Sequence, residues 1–166
     1  MDIRKELLKE HSKAQINKIC KYISNDQERF EELMNIFLNG ETRLVQRASW
    51  AVSTIAEEHP YLIKPYLKRM VRNLKKNAHD AVKRNTLRIF QFMEIPASVQ
   101  GELLDLCFDY LITTKVPVAI KAFAMTVAYN LSAKEEDLLK ELKIILQDQL
   151  PFSSPAFKSR AHKILK

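Results

Sequence analysis

Four histidines, two cysteines and 20 carboxylates are the residues of this chain best suited to chemistry, and their spacing decides whether it is an enzyme. His11, His59, His79 and His162 are scattered, and none pairs with another His or Cys at the short intervals of a metal site. Cys20 is the small member of Ile16–Cys20–Ile23, and Cys107 lies among Leu103, Leu104, Leu106 and Leu111. Both read as buried structural thiols on apolar helical faces. Gly40 and Gly101 are the only glycines, so no Gly-rich loop can cradle a phosphate. No Ser, His and Asp fall together by spacing, and there is no nucleophile elbow. Asp105 with Asp109, and Glu28 with Glu32, share helical faces in the manner of solvated surface. The pattern predicts a protein that is not an enzyme and needs neither metal nor cofactor.

Charge is the stronger signal. The formal net charge is +7, and it is unevenly placed. Nine bases (Lys64, Lys68, Arg69, Arg72, Lys75, Lys76, Lys83, Arg84 and Arg88) face one acid, Asp80, within a single stretch of 25 residues. Lys158, Arg160, Lys163 and Lys166 form a second cluster with no acid among them. Such a localised field attracts anions, whether nucleic acid, acidic protein or a membrane surface. No apolar run approaches the roughly 20 residues of a membrane span, and the charged start Met1–Glu6 has no signal-like stretch behind it. A soluble, cytoplasmic chain is expected.

The elements that must position these residues repeat. A large apolar residue, a small one four positions on and a β-branched one seven positions on recur as Val45–Ser49–Val52, Val82–Thr86–Ile89, Ile120–Ala124–Val127 and Phe157–Ala161–Ile164, spaced 37, 38 and 37 apart. Positions 0, 4 and 7 of a helix share a narrow sector, so each triplet is one buried stripe. A preceding helix repeats with it: Phe30, Leu67, Leu104 and Leu142 correspond, as do Leu33, Met70, Cys107 and Ile145, and Met34, Val71, Phe108 and Leu146. Two stripes on one period mean stacked helix pairs. The pairs are expected at 27–38 with 42–58, 61–76 with 79–94, 97–113 with 117–131 and 134–150 with 154–165, behind a shorter leading pair at 2–10 and 13–24. Ser24-Asn25-Asp26 offers N-caps, Ser132 with Glu135 reads as a capping box, and Ser154-Pro155 as a cap followed by proline at the first helical position. Pro60, Pro96 and Pro117 fall at segment starts, whereas Pro65 requires a helix start or a kink.

The second helices resemble the HEAT-repeat signature, a Val-Arg or Val-Lys pair near the helix start followed by a small residue. Val82-Lys83, Ile120-Lys121 and Phe157-Lys158 match it, and Val45-Gln46 departs from it. The likeness, to small bacterial HEAT proteins, covers essentially the whole chain. It implies an all-α, right-handed superhelix of about five antiparallel helix pairs, one domain over 1–166 with repeats near 1–25, 26–59, 60–95, 96–132 and 133–166. It also implies a scaffold that grips partners along a concave groove lined by second helices.

Positions 2, 6 and 9 of those helices would form the groove floor: Arg47, Ala51 and Thr54; Arg84, Arg88 and Gln91; Ala122, Thr126 and Tyr129; Ser159, Lys163 and Lys166. Arg43, Arg47, Lys83 and Arg84 are expected near helix starts, where the macrodipole disfavours a cation and a partner must compensate. The candidate partner-binding set is Arg43, Arg47, Lys83, Arg84, Arg88, Trp50 and Tyr129. An acidic peptide or helix with an apolar anchor suits that surface, with nucleic acid as the alternative. Trp50 reads as a packing residue at the edge of the buried sector, and Arg47 and Arg84 as able to form a ladder with Asp80 and nearby carbonyls. There is also a distant fold resemblance to alkylpurine DNA glycosylases of the AlkD type. That likeness would make Trp50 and Asp80 the groove residues of a base-releasing enzyme.

Overall fold

The computed structural model describes residues 1–76 and 78–166, and every regular element among them is helical. The chain divides into two compact units, Met1–Ile89 and Phe90–Lys166. Each is a run of antiparallel helix pairs.

The first unit opens with α1 (Ile3–Lys9) and α2 (Lys13–Ile23), the shortened leading pair. Asp2 and Ser12 cap them through their side chains. Glu6 turns inward between them, where the Gln15 amide and the Lys9 and Lys18 ammonium groups donate to its carboxylate. The next pair is α3 (Gln27–Asn39), capped by Asp26, and α4 (Thr42–Glu58). The third pair begins in pieces, α5 (Pro60–Ile63), a 3-10 turn over Lys64–Tyr66 and α6 (Leu67–Leu74), before α7 (Asp80–Phe90). Pro65 sits inside the tight turn. It cannot donate to the Tyr61 carbonyl, so the helix tightens and redirects instead of starting there.

The second unit contains α8 (Ala97–Ile112) with α9 (Val118–Ser132), and α10 (Glu136–Gln149) with α11 (Pro155–Leu165). Pro96 and Pro117 cap α8 and α9, and Ser154 accepts the Phe157 amide ahead of Pro155. The expected capping box at Ser132 does not form. Ser132 is the last residue of α9, its hydroxyl buried without a hydrogen-bond partner among the described residues, and α10 starts after Glu135 with no side-chain cap. The turn is closed by the backbone instead, the Glu135 amide donating to the Ser132 carbonyl.

The repeated stripes are the core. Ser49 and Val52, all of Val82–Thr86–Ile89 and Ile120–Ala124–Val127, and Phe157 and Ala161 are buried. Val45 and Ile164, at opposite ends of the series, are half-buried. The first-helix stripes behave alike, with Ile145 half-buried and the other members buried. Both thiols lie within these faces, Cys20 at 6% and Cys107 at 0% exposure. Burial pushes the Cys20 thiol up to about 12, aided by the Glu58 charge, and pushes Cys107 up as well.

Candidate functional site

The groove in the first unit is built by the α1–α2 turn, α4 and α7. His11, Gln46, Trp50, Ala81, Arg84, Asn85 and Arg88 line a space of about 370 Å³. Its helices are tied beneath the floor. Asn85 Nδ2 donates to Ser49 Oγ across 3.1 Å and to the Ala81 carbonyl across 2.8 Å. Ser49 Oγ in turn donates to the Gln46 carbonyl across 2.7 Å. The small residue of one stripe therefore supplies a polar link to the next second helix, one repeat later. That link holds Trp50 and Arg84 on facing helices.

Trp50 is half-buried, as its place at the edge of the stripe predicts. The His11 ring meets it edge to face at 5.5 Å. Arg84 is exposed, and Arg88 reaches Glu57 Oε1 at 2.7 Å. This ion pair is two-fifths exposed on each side. Such a pair is worth little on its own and can exchange a partner cheaply.

The remaining candidates fall elsewhere. Arg43 is exposed in the first turn of α4 and Lys83 half-buried on α7, both outside the lining of this groove. Arg47 is half-buried and its guanidinium donates to the Leu7 carbonyl, so it is used within the fold rather than offered on the floor. Ala51, expected on the floor, is wholly buried: the leading pair packs against α4 and covers that face. Asp80 is exposed at the start of α7 and does not line the groove. The Trp50 and Asp80 arrangement that the glycosylase likeness would need is therefore not assembled there.

Tyr129 belongs to a groove of the second unit, with Gln91, Thr126, Arg160, Lys163 and Ile164 around about 370 Å³. Four of these, Gln91, Thr126, Tyr129 and Lys163, are floor positions by the repeat. Arg160 is the residue that spacing missed. It stands at position 3 of its stripe, as Asn85 does, and the shared signal is a long polar residue beside the small stripe member. His79 was also illegible in a role: its Nδ1 accepts the Ala81 amide at 3.0 Å and caps α7. Among the described residues no cluster of three His, Cys, Asp or Glu could hold a metal ion, and no helix is long and apolar enough to cross a membrane.

Paired helices on a period of 37 to 38 residues, with a polar tie from one second helix to the next, are the marks of a repeat array. A family model for a HEAT repeat domain matches residues 3–166. The chain belongs to the HEAT repeat family. No curated protein and no solved structure matches it. In HEAT terms the Trp50 groove lies on second helices of consecutive repeats, α4 and α7, with His11 of the leading pair beside them.

Proposed function

We infer that the protein is a cytoplasmic, non-enzymatic HEAT scaffold that binds an acidic protein segment in the groove of its first unit. The observation that carries this reading is one groove combining an indole with two guanidinium groups, Trp50 with Arg84 and Arg88. Aromatic and arginine side chains are the usual anchors of protein interfaces, and together they suit a segment bearing a carboxylate beside an apolar side chain. Arg84 supplies an exposed charge. Arg88 supplies one whose present partner, Glu57, is itself half in solvent. Capture of partners from native lysate by the wild type and by Arg84→Glu/Arg88→Glu tests it. The reading expects a band lost on the variant and rejects itself if the two partner sets are identical.

Nucleic acid is the second reading. Lys64, Lys68, Arg69, Arg72, Lys75 and Lys76 are all exposed, on α6 or in the turns that flank it. Phosphate contacts release counterions, so such binding must weaken steeply with salt. A duplex titration at two salt concentrations tests it, and no binding at low salt removes it.

A further inference from the structure

The second groove holds an arginine fixed in place without an acid. Arg160 Nη1 donates to Gln91 Oε1 at 3.1 Å, to the Ala122 carbonyl at 2.9 Å and to Thr126 Oγ1 at 2.9 Å. Those acceptors come from two stretches of the chain, Gln91 just after α7 and Ala122 with Thr126 one turn apart on α9, and all are neutral. The guanidinium also lies 5.7 Å from the centre of the Phe123 ring. Neither Arg160 nor Lys163, one turn further along α11, has a carboxylate within ion-pair reach among the described residues. Arg160 is half-buried, so its charge is partly withdrawn from water and is met only by dipoles. Fixing one nitrogen costs rotamer freedom in advance, and the edge formed by Nε and Nη2 is left for a ligand. Two parallel N–H groups on a planar edge match the two oxygens of a carboxylate.

The rest of the lining narrows the ligand. Tyr129 is 39% exposed and Ile164 half-buried, so the groove lining includes apolar surface beside the cations. A space of about 370 Å³ accommodates one or two side chains. A polyanionic backbone would be met by a run of exposed cations. The groove lining itself holds one arginine sunk among acceptors and one exposed lysine, with Lys158 and Lys166 outside it.

We propose that Arg160 and Lys163, with Tyr129 and Ile164, form a carboxylate-binding site that takes an Asp or Glu side chain of a protein segment together with a neighbouring apolar side chain. The site is built wholly from residues 90–166 and its test does not involve the Trp50 groove. The full chain, isotope-labelled, is titrated with a blocked Leu-Glu-Glu-Leu peptide while the Arg160 Nε–H and Tyr129 ring signals are followed by NMR. The expected result is saturable movement of both signals, weakened at least tenfold by Lys163→Glu, an exposed change that leaves the core intact. Arg160→Lys should weaken it as well, because an ammonium cannot present the same planar edge. Wild-type signals that stay still up to roughly 10 mM peptide, where a site with a Kd of about 1 mM would be mostly filled, overturn the proposal. So does an unchanged affinity in Lys163→Glu. Saturation by inorganic phosphate, with no response to the peptide, overturns it too and makes the site a phosphate site.

Discussion

The Arg47 guanidinium donates to the carbonyl of Leu7 across 2.6 Å, joining residues 40 positions apart. Leu7 lies in the last turn of α1, where carbonyls have no partner within the helix and carry the negative end of its dipole. A cation near the start of α4 is thus compensated by the end of another helix. The pattern recurs in the second unit. Lys121, early in α9, donates from Nζ to the Leu111 carbonyl in the last turn of α8 at 3.3 Å. The basic residue of the HEAT signature here ties one helix end to the next, and partial burial lowers the pKa of Lys121 accordingly.

Arg47→Met keeps the apolar stem and removes the donor. It should cost about 1.5–3 kcal/mol, the range for a hydrogen bond from a charged group. Loosening should concentrate in α1, read as faster amide exchange at residues 3–9 alongside a lowered denaturation midpoint.

The leading pair should also be the acid-labile part of the first unit. Lys9 first, then Lys18 and Gln15, hold the Glu6 carboxyl down to about 2. The unfolded chain binds that proton near about 4.3. A carboxyl depressed in the folded state contributes stability that is present above the unfolded value and is lost as pH falls toward about 2. Exchange protection in α1 and α2 should therefore drop between about pH 4.3 and 2 in the wild type. In Glu6→Gln that drop should be absent, and protection lower already at neutral pH.

Val82 is 1% exposed and begins the stripe of the third pair. Val82→Asp places a carboxylate in that buried apolar stripe, and should cost more than about 4 kcal/mol. Circular dichroism should show lost helix at a temperature where the wild type is folded. A variant as stable as wild type would mean that the stripe is not the core.

The helix pairs were legible because a stripe of period 37 to 38 depends only on which residues must be buried, and burial is what the pattern encodes. Pro65 was legible as a break but not as a 3-10 turn, since proline forbids one hydrogen bond without specifying its replacement. Ser132 and Glu135 have the spacing of a capping box, but α9 runs through Ser132 itself and α10 starts three residues later than that box requires. Where a helix stops was decided by packing that buries Ser132 completely. Of the groove, Trp50, Arg84 and Arg88 followed from helical phase. Arg47 has the same phase as Arg84, and only the leading pair, which breaks the repeat, turns it inward. Arg160 escaped because its partners Gln91, Ala122 and Thr126 are 69, 38 and 34 residues away.

Ser24 ends α2 at φ 49° and ψ −121°, a conformation glycine adopts freely and serine does not. Ser24→Gly should stabilise the protein by about 1 kcal/mol as that strain is relieved, somewhat less after glycine's larger entropy loss. Thermal melting checks it, and a lower midpoint would show that the serine side chain matters more than its backbone.

Trp50 is the only tryptophan, so its fluorescence reports directly on the groove. The decisive measurement titrates a short acidic peptide with a leucine anchor into the full chain while that emission is followed. A saturable change is predicted, weakened about tenfold or more in Arg84→Glu, which removes one cation and adds one repulsive charge. No change in emission, or the same affinity in Arg84→Glu, would contradict the assignment of this groove to an acidic protein partner.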